Sequence, residues 1–432
     1  MNPKNKIRKI LLVAATALAV LFGAWVLPPV SRRVLKLCPV GSGSINTAQA
    51  VPAFARKYGL SCSQCHAAFP ALNDYGREFK NNGYVRERAK ETGVKVESGD
   101  MLLPQSFPWG GVLHLQPFNS VKDEKTAINP IHEIALFAAD GSVAKNFSYF
   151  MELTLADEDD FAPGIENAQV GYHYNPYLNV LAGYGDVMRS LDSYQTISGE
   201  ETHQISEGSM TQGLLSMRQQ FMTVRGEVSK EKLGALDYAF GVGGGAGQPM
   251  GTVSPEFKAT AGKGPLNYNF RVVADSLKGF ALGAFYRTGG TNWSDVAEAD
   301  AKKLNNITAY AVDGLAEYMG VTARAALVNT QSEEIATSIK AKKNGAYLEA
   351  FYTVKKGDRP WIVPMVRYDT MLDRFAGAKL SNLAVNLSHY PMENVRAFLQ
   401  YSKELVNRTV VPGPDINNPL DSRVTAQVVI GF

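Results

Sequence analysis

The feature that most constrains this chain is a pattern of period two. From about Gly110 to Phe432, short segments alternate apolar with polar residues. Phe147, Tyr149, Met151, Leu153 and Leu155 share one parity, while Ser148, Glu152 and Thr154 share the other. Leu236, Tyr238, Phe240 and Val242 oppose Asp237, Ala239 and Gly241, and Val424, Ala426, Val428, Ile430 and Phe432 oppose Arg423, Thr425 and Gln427. Alternation of this kind marks strands with one apolar face. No apolar run in this region reaches the roughly 18 residues of a membrane helix, so a helical membrane domain is excluded. Segments of about eight to twelve residues instead suit tilted strands that cross a bilayer.

The connections alternate in length. Short ones are predicted near 140–144, 175–176, 229–232, 275–278, 313–314, 355–360 and 390–394. Long ones fall between them, near 119–130, 156–164, 188–214, 244–263, 289–306, 329–344, 370–380 and 404–420. Seven short and eight long connections join sixteen strands, the layout of a bacterial outer-membrane barrel with turns on one rim and loops on the other. A soluble all-β sandwich or propeller also explains the alternation. It explains less well the aromatic residues Tyr172, Tyr174, Tyr184, Tyr286, Tyr352, Tyr390 and Tyr401, which sit toward strand ends with apolar parity, as a girdle at the membrane interface requires. Strands in hydrocarbon must also close on themselves, because an open edge leaves peptide groups unpaired. Phe432 ends an alternating strand at the C-terminus and resembles the terminal aromatic of outer-membrane proteins. By that analogy the short turns face the periplasm and the long loops the outside. Asp157 to Asp160 make one such loop acidic, a solvated face that also attracts cations.

Ahead of the strands, a basic stretch from Lys4 to Lys9 precedes an apolar run from Ile10 to Leu27, which reads as a secretory signal or an anchor. Ala48-Gln49-Ala50 offers a cleavage site before Val51, and a cut near Gly23 to Trp25 or an uncleaved anchor are the alternatives. Three regions follow: a leader over 1–50, a small segment with its linker over 51–100, and the barrel over 101–432. The leader holds seven basic residues and no acidic one, so the rest of the chain has 37 of the 44 basic residues against 41 acidic ones. That balance is wrong for a nucleic-acid partner. Outer-membrane lipid is the expected surroundings.

The small segment carries Cys62-Ser63-Gln64-Cys65-His66, the attachment motif of a c-type haem. Two thiols two residues apart can bond the two vinyl groups of one porphyrin, and the following histidine is placed as the proximal iron ligand. The alternatives are a chance turn, a redox dithiol or half a zinc site. A dithiol of the thioredoxin type needs a βαβ context that is missing, and no second cysteine pair completes a zinc site. The cofactor expected is therefore one covalently bound haem c on Cys62, Cys65 and His66. Short helices are predicted over Pro52 to Tyr58 and Leu72 to Asn81, with Gly83 as a stop. So small a segment cannot cover both faces of a haem, and it is expected to pack inside or across the mouth of the barrel.

The second axial ligand is not fixed by the motif. His114, His132, His173, His203, His389, Met101 and Met151 are the candidates. His114 is preferred: Leu113 and Leu115 take the lipid parity of the first strand, so His114 and Gln116 point inward. His173 also has inward parity, His132 stands near a strand start, and His389 shares parity with Leu383, Val385 and Leu387, as an interfacial residue would.

The stretch from Pro52-Ala-Phe-Ala-Arg56 and Gly59 through the haem motif, Phe69-Pro70, Leu72-Asn73, Gly76, Phe79-Lys80 and Gly83-Tyr84 resembles the haem segment of the fused monohaem cytochrome–porins of iron-oxidising bacteria. The resemblance implies an outer-membrane iron oxidase, an Fe(II):cytochrome c oxidoreductase. It implies thioethers at Cys62 and Cys65, proximal ligation by His66, electrons taken from extracellular Fe(II) or another donor, and a periplasmic c-type cytochrome as acceptor. The long basic leader with Cys38 departs from a plain signal peptide. Two other functions stay open: a diffusion porin whose haem peptide is a structural plug, and a haem sensor or peroxidase with an accessible iron face.

Overall fold

The computed structural model describes residues 53–85, 94–95, 102–103 and 109–432, apart from 122–126, 142–145, 158–162, 187–216, 231–233, 250–265, 278, 292–304, 335–338, 375–376, 411–414 and 418–421. The leader, Met101, His203, most of the linker and residues 158–160 of the acidic loop lie outside the described residues.

Among the described residues, sixteen long antiparallel strands form a closed barrel, with two three-residue strands, Val354–Lys356 and Asp415–Asn417, pairing at its rims. They are β1 Trp109–Val121, β2 Ala127–Asp140, β3 Phe147–Asp157, β4 Gly164–Asn175, β5 Leu178–Asp186, β6 Met217–Lys230, β7 Gly234–Pro249 and β8 Leu266–Leu277. The second half continues with β9 Phe280–Thr291, β10 Asn305–Tyr318, β11 Val321–Glu334, β12 Ile339–Tyr352, β13 Arg359–Asp373, β14 Ala378–Met392, β15 Val395–Val410 and β16 Ser422–Gly431. Closure is made by β16 on β1, where Ile430 stands opposite Leu113 and Val429 opposite His114. The terminal residue completes the seam, since Phe432 and Gly111 exchange backbone hydrogen bonds of 2.9 and 2.8 Å.

The expected parity holds. Phe147, Leu236, Phe240, Phe270, Leu282, Val312, Leu327, Val385 and Leu387 are exposed on the outside, and Tyr172, Tyr174, Tyr286, Tyr352 and Tyr401 are exposed with them. A closed wall with this apolar exterior satisfies its backbone internally and faces hydrocarbon with its side chains. The inner parity carries polar and charged residues. Arg367 pairs with Asp369 at 2.8 Å and Glu349 at 3.3 Å, its guanidinium lies 4.4 Å from the centre of the Tyr347 ring, and Arg271 meets Asp313 at 2.9 Å. These charges are taken out of bulk water only as pairs.

Three expectations are corrected. The strands run from 9 residues in β5 to 16 in β7 and β15, longer than the apolar pattern suggested. The pattern stops where the lipid stops, but the ladder continues: β11 and β12 go on pairing through Gln331 opposite Lys342 and Glu333 opposite Lys340. The turn expected at Asp313-Gly314 lies six residues later, at Met319-Gly320, where both residues have positive φ, 48° and 83°. Asp313 sits inside β10, and its carboxylate is held by Arg271. Tyr390, expected in the outer girdle, is instead inward and buried, because residues 53–85 give its hydroxyl a partner.

Candidate functional site

The small segment folds as three short helices, α1 Ala53–Tyr58, α2 Cys62–Cys65 and α3 Asp74–Asn81. Between α2 and α3 the chain makes a minimal ladder, with His66 opposite Leu72 and Ala68 opposite Ala71. Asn73 joins the pieces. Its Oδ1 accepts from the Gly76 N–H at 3.0 Å as the N-cap of α3, while its Nδ2 donates to the carbonyls of Ser63 (3.3 Å) and Gln64 (3.0 Å) in α2. An aspartate or serine would cap α3 equally well, but only an amide also donates two bonds backward. Gly76 lets the helices touch: a Cβ there would stand 2.1 Å from the Cys65 carbonyl oxygen.

This clasp puts the three motif residues on one turn. His66 Nδ1 stands 3.0 Å from the Pro70 carbonyl, which fixes Nδ1 as the protonated nitrogen and leaves Nε2 with the lone pair of a metal ligand. Burial lowers the imidazole pKa to about 4, the hydrogen bonds to the Pro70 and Ala71 carbonyls opposing it, so the ring is neutral at physiological pH. Cys62 and Cys65 form no disulfide. Burial pushes the Cys62 thiol up to about 12, with the Glu393 carboxylate adding to the effect, and burial raises Cys65 as well. No cluster of three metal-ligating side chains exists among the described residues. Two free thiols beside a neutral imidazole whose Nε2 keeps its lone pair are the groups that a haem bonded through two thioethers would use.

The segment sits in the mouth of the barrel at its short-turn end, as its size required. Arg56 donates to the Trp109 carbonyl at the start of β1, and Lys57 meets Asp140 at the end of β2 (2.9 Å). Across the mouth, Arg77 meets Glu317 of β10 (3.3 Å), and Arg225 of β6 donates to the Asn81 carbonyl (3.1 Å). The end of β14 and the β14–β15 turn bond the motif segment directly. Glu393 Oε2 accepts from the Cys62 N–H at 2.7 Å, capping α2, and the Tyr390 hydroxyl donates to the Phe69 carbonyl at 2.7 Å. Apolar packing fills the gaps between these bonds: Ala68 and Ala71 lie on Phe351, Val363 and Met365, and Phe69 lies among Val112, Phe137, Phe398 and Val429.

The other candidates separate. His114 faces inward two residues from Val112, which packs on Phe69, and its Nδ1 stands 3.1 Å from Glu133. His173 is inward as expected, but Ser148 (2.7 Å) and Asn179 (2.9 Å) take both ring nitrogens, so it is a wall residue. His389 lies against Trp361 and bonds its carbonyl, the interfacial role expected of it. His132 is buried on β2. Met151 keeps the apolar parity expected of it: Phe150 beside it packs inward on Tyr84, which turns Met151 to the lipid side and away from the small segment. A methionine that does reach the small segment is Met365, missed because it was not weighed by parity. Glu393, Tyr390, Asn73 and Gly76 were missed too. The available signal was a set of aromatic residues on polar parity close to short turns, Phe137, Phe150, Phe351 and Phe398, which marks a mouth that is filled.

No family model and no characterised protein matches the sequence. Solved structures match the barrel. OmpT of Vibrio cholerae, an outer-membrane protein, superposes with a TM-score of 0.53 at 12% identity, over 75% of this chain and 98% of that one. The anion-selective porin from Comamonas acidovorans gives 0.53 at 10% identity, over 75% and 98%. OmpF of Salmonella typhi, in complex with daunomycin, gives 0.52 at 13% identity, over 76% and 98%. At these identities the likeness is one of fold: the chain is an outer-membrane-type barrel.

Proposed function

We propose that this barrel is an outer-membrane c-type cytochrome that passes electrons from an extracellular donor, Fe(II) in the first instance, to a periplasmic c-type cytochrome. The observation that carries the reading is the pinned tautomer of His66 on a two-cysteine turn held in the barrel mouth. A haem c held by Cys62, Cys65 and His66 supplies a one-electron iron couple. The protein's share of the work is positional. The Pro70 carbonyl orients His66, Glu393 and Tyr390 fix the motif to the wall, and the apolar packing around Phe69 keeps water from the His66 ring.

The location solves a distance problem. A bilayer core of roughly 30 Å is too thick for one efficient tunnelling step. A redox centre held at the short-turn mouth lies at the periplasmic side, so the donor has to come to it through the lumen. Above the mouth, the paired charges of Arg367, Asp369, Glu349, Arg271 and Asp313 make that wall polar. A small hydrated cation suits such a passage better than a bulky donor. His114 and Met365 both face inward near the segment, and either would be a side chain able to donate a further ligand to the iron of a bound haem.

The test is reduction of the purified, detergent-solubilised protein by Fe(II) near neutral pH, followed at the haem α-band in a stopped-flow instrument. Rapid stoichiometric reduction supports the iron reading. Reduction by other donors but not by Fe(II) removes iron and keeps the conduit, and a protein without a covalent haem band overturns both. A diffusion porin is the second reading, favoured by the fold shared with the Comamonas porin; the filled mouth argues against it.

A further inference from the structure

We infer that the Glu393 carboxylate, seated on the Cys62 peptide, is the charge that holds down the reduction potential of the haem. The inference rests on the electron-transfer reading above and adds which residue of the barrel tunes the iron couple. Position is the first argument. Glu393 Oε2 accepts from the Cys62 N–H at 2.7 Å. The turn that carries it is tied down on both sides. The Tyr390 hydroxyl donates to the Phe69 carbonyl at 2.7 Å, while Asn394 Nδ2 donates to the Gly431 carbonyl and the Asn394 carbonyl accepts from the Gly431 N–H, both at 2.9 Å. A carboxylate fixed in this way keeps its place when the charge on the iron changes.

Charge is the second. Among the described residues the bond to the Cys62 N–H is the one polar contact of the Glu393 side chain, and no cation pairs with it. The basic groups around it are engaged elsewhere: Arg359 donates to the Pro391 carbonyl at 2.8 Å, Arg396 to Ser388 Oγ at 3.0 Å, Lys57 pairs with Asp140 at 2.9 Å and Arg77 with Glu317 at 3.3 Å. Capping α2 needs only an acceptor, which a serine or an asparagine supplies. A half-buried carboxylate with no counter-charge brings a desolvation cost and a negative field besides. The field reaches the sulfur, since after burial the Glu393 carboxylate is the next cause that raises the Cys62 thiol. Chemistry is the third. A ferric haem carries one more positive charge than a ferrous one, so an anion fixed at Cys62 favours the ferric state. The reduced state is thereby the better electron donor to a periplasmic acceptor.

The experiment uses the full-length holoprotein in detergent at low ionic strength, poised against redox mediators while the haem α-band reports the reduced fraction. Glu393→Gln keeps an acceptor for the Cys62 N–H and loses the charge. Its ratio of reduced to oxidised haem at a fixed potential is expected to rise roughly 3- to 10-fold, an upward shift of about 30 to 60 mV. Glu393→Asp, which keeps the charge, is expected to stay nearer to wild type. Tyr390→Phe is the structural control: a looser segment admits water, which favours the ferric state and moves the midpoint downward. The inference is overturned if Glu393→Gln does not shift upward, or if Tyr390→Phe shifts upward as far. Should Glu393→Gln fail to take up haem, Met392→Lys decides, because it sets a cation on a neighbour that is 59% exposed and leaves the Glu393 bond in place. An upward shift there supports the inference, and no shift overturns it. A wild-type covalent haem with a reversible midpoint keeps the electron-transfer reading even where the variants shift nothing; a wild type without one removes that reading and the inference with it.

Discussion

The two cysteines and the histidine of the motif are prepared by their surroundings in opposite senses to a redox dithiol. With the Cys62 thiol pushed up to about 12, it stays protonated across the physiological range, and the fraction of reactive thiolate at pH 8 is small. Protein produced without haem is therefore expected to react with a thiol reagent at pH 8 at least 10-fold more slowly in the folded state than in denaturant, with the rate rising only in strongly alkaline solution. Fast labelling at pH 7 would show that the folded segment does not bury Cys62. Beside the motif, Tyr390→Phe deletes one buried hydrogen bond to Phe69, and Glu393→Gln removes the charge that caps α2. Each is expected to cost about 1 kcal/mol of segment docking. Trypsin cleavage at Lys57, Arg77 or Lys80 should accelerate about fivefold per variant if opening is at equilibrium, while the barrel itself stays resistant. Unchanged cleavage would mean that the turn touches the segment without holding it.

At the scale of elements, the α2–α3 contact depends on the absence of one carbon atom. Gly76→Ala places a methyl 2.1 Å from the Cys65 carbonyl oxygen, so α3 has to move away, at a cost of about 1–3 kcal/mol. The expected result is lower haem occupancy together with faster cleavage in α3, whereas Gly59→Ala, which meets no atom within 4 Å, serves as a comparison whose strain is local to its positive φ. Wild-type occupancy in Gly76→Ala would show that the helices are not in register with the motif. The same scale shows why some elements were readable. Parity is a two-state property that every strand repeats, so the inward turn of His114 and His173 and the outward turn of His389 followed from neighbours alone. Turn residues are a weaker signal, since Asp313-Gly314 has the composition of a turn but its aspartate was claimed by Arg271 from two strands away. Tyr390 failed for a similar reason: its partner, the Phe69 carbonyl, is more than 300 residues distant in sequence. The motif was legible because its chemistry is local, and its anchors were not, because they come from the barrel.

For the whole molecule, the filled mouth sets the permeability. Residues 53–85 bond to β1, β2, β6, β10 and the β14–β15 turn, and they press Phe69 and the alanines beside it into an aromatic and aliphatic lining. An open diffusion porin needs water at this level, and an apolar contact surface excludes it. In planar bilayers the full chain is expected to pass little current, and a chain lacking residues 53–85 to give stepwise opening. The deletion also exposes Phe351, Val363, Met365, Phe398 and Val429 to the lumen. Fully burying such a side chain contributes about 1.5–3 kcal/mol, so the deleted barrel should unfold at a lower temperature as well as conduct. The two readouts separate a plug from a passenger. Conductance without loss of stability would describe a segment that merely occupies the mouth, and porin-like currents through the full chain would return the diffusion reading to first place.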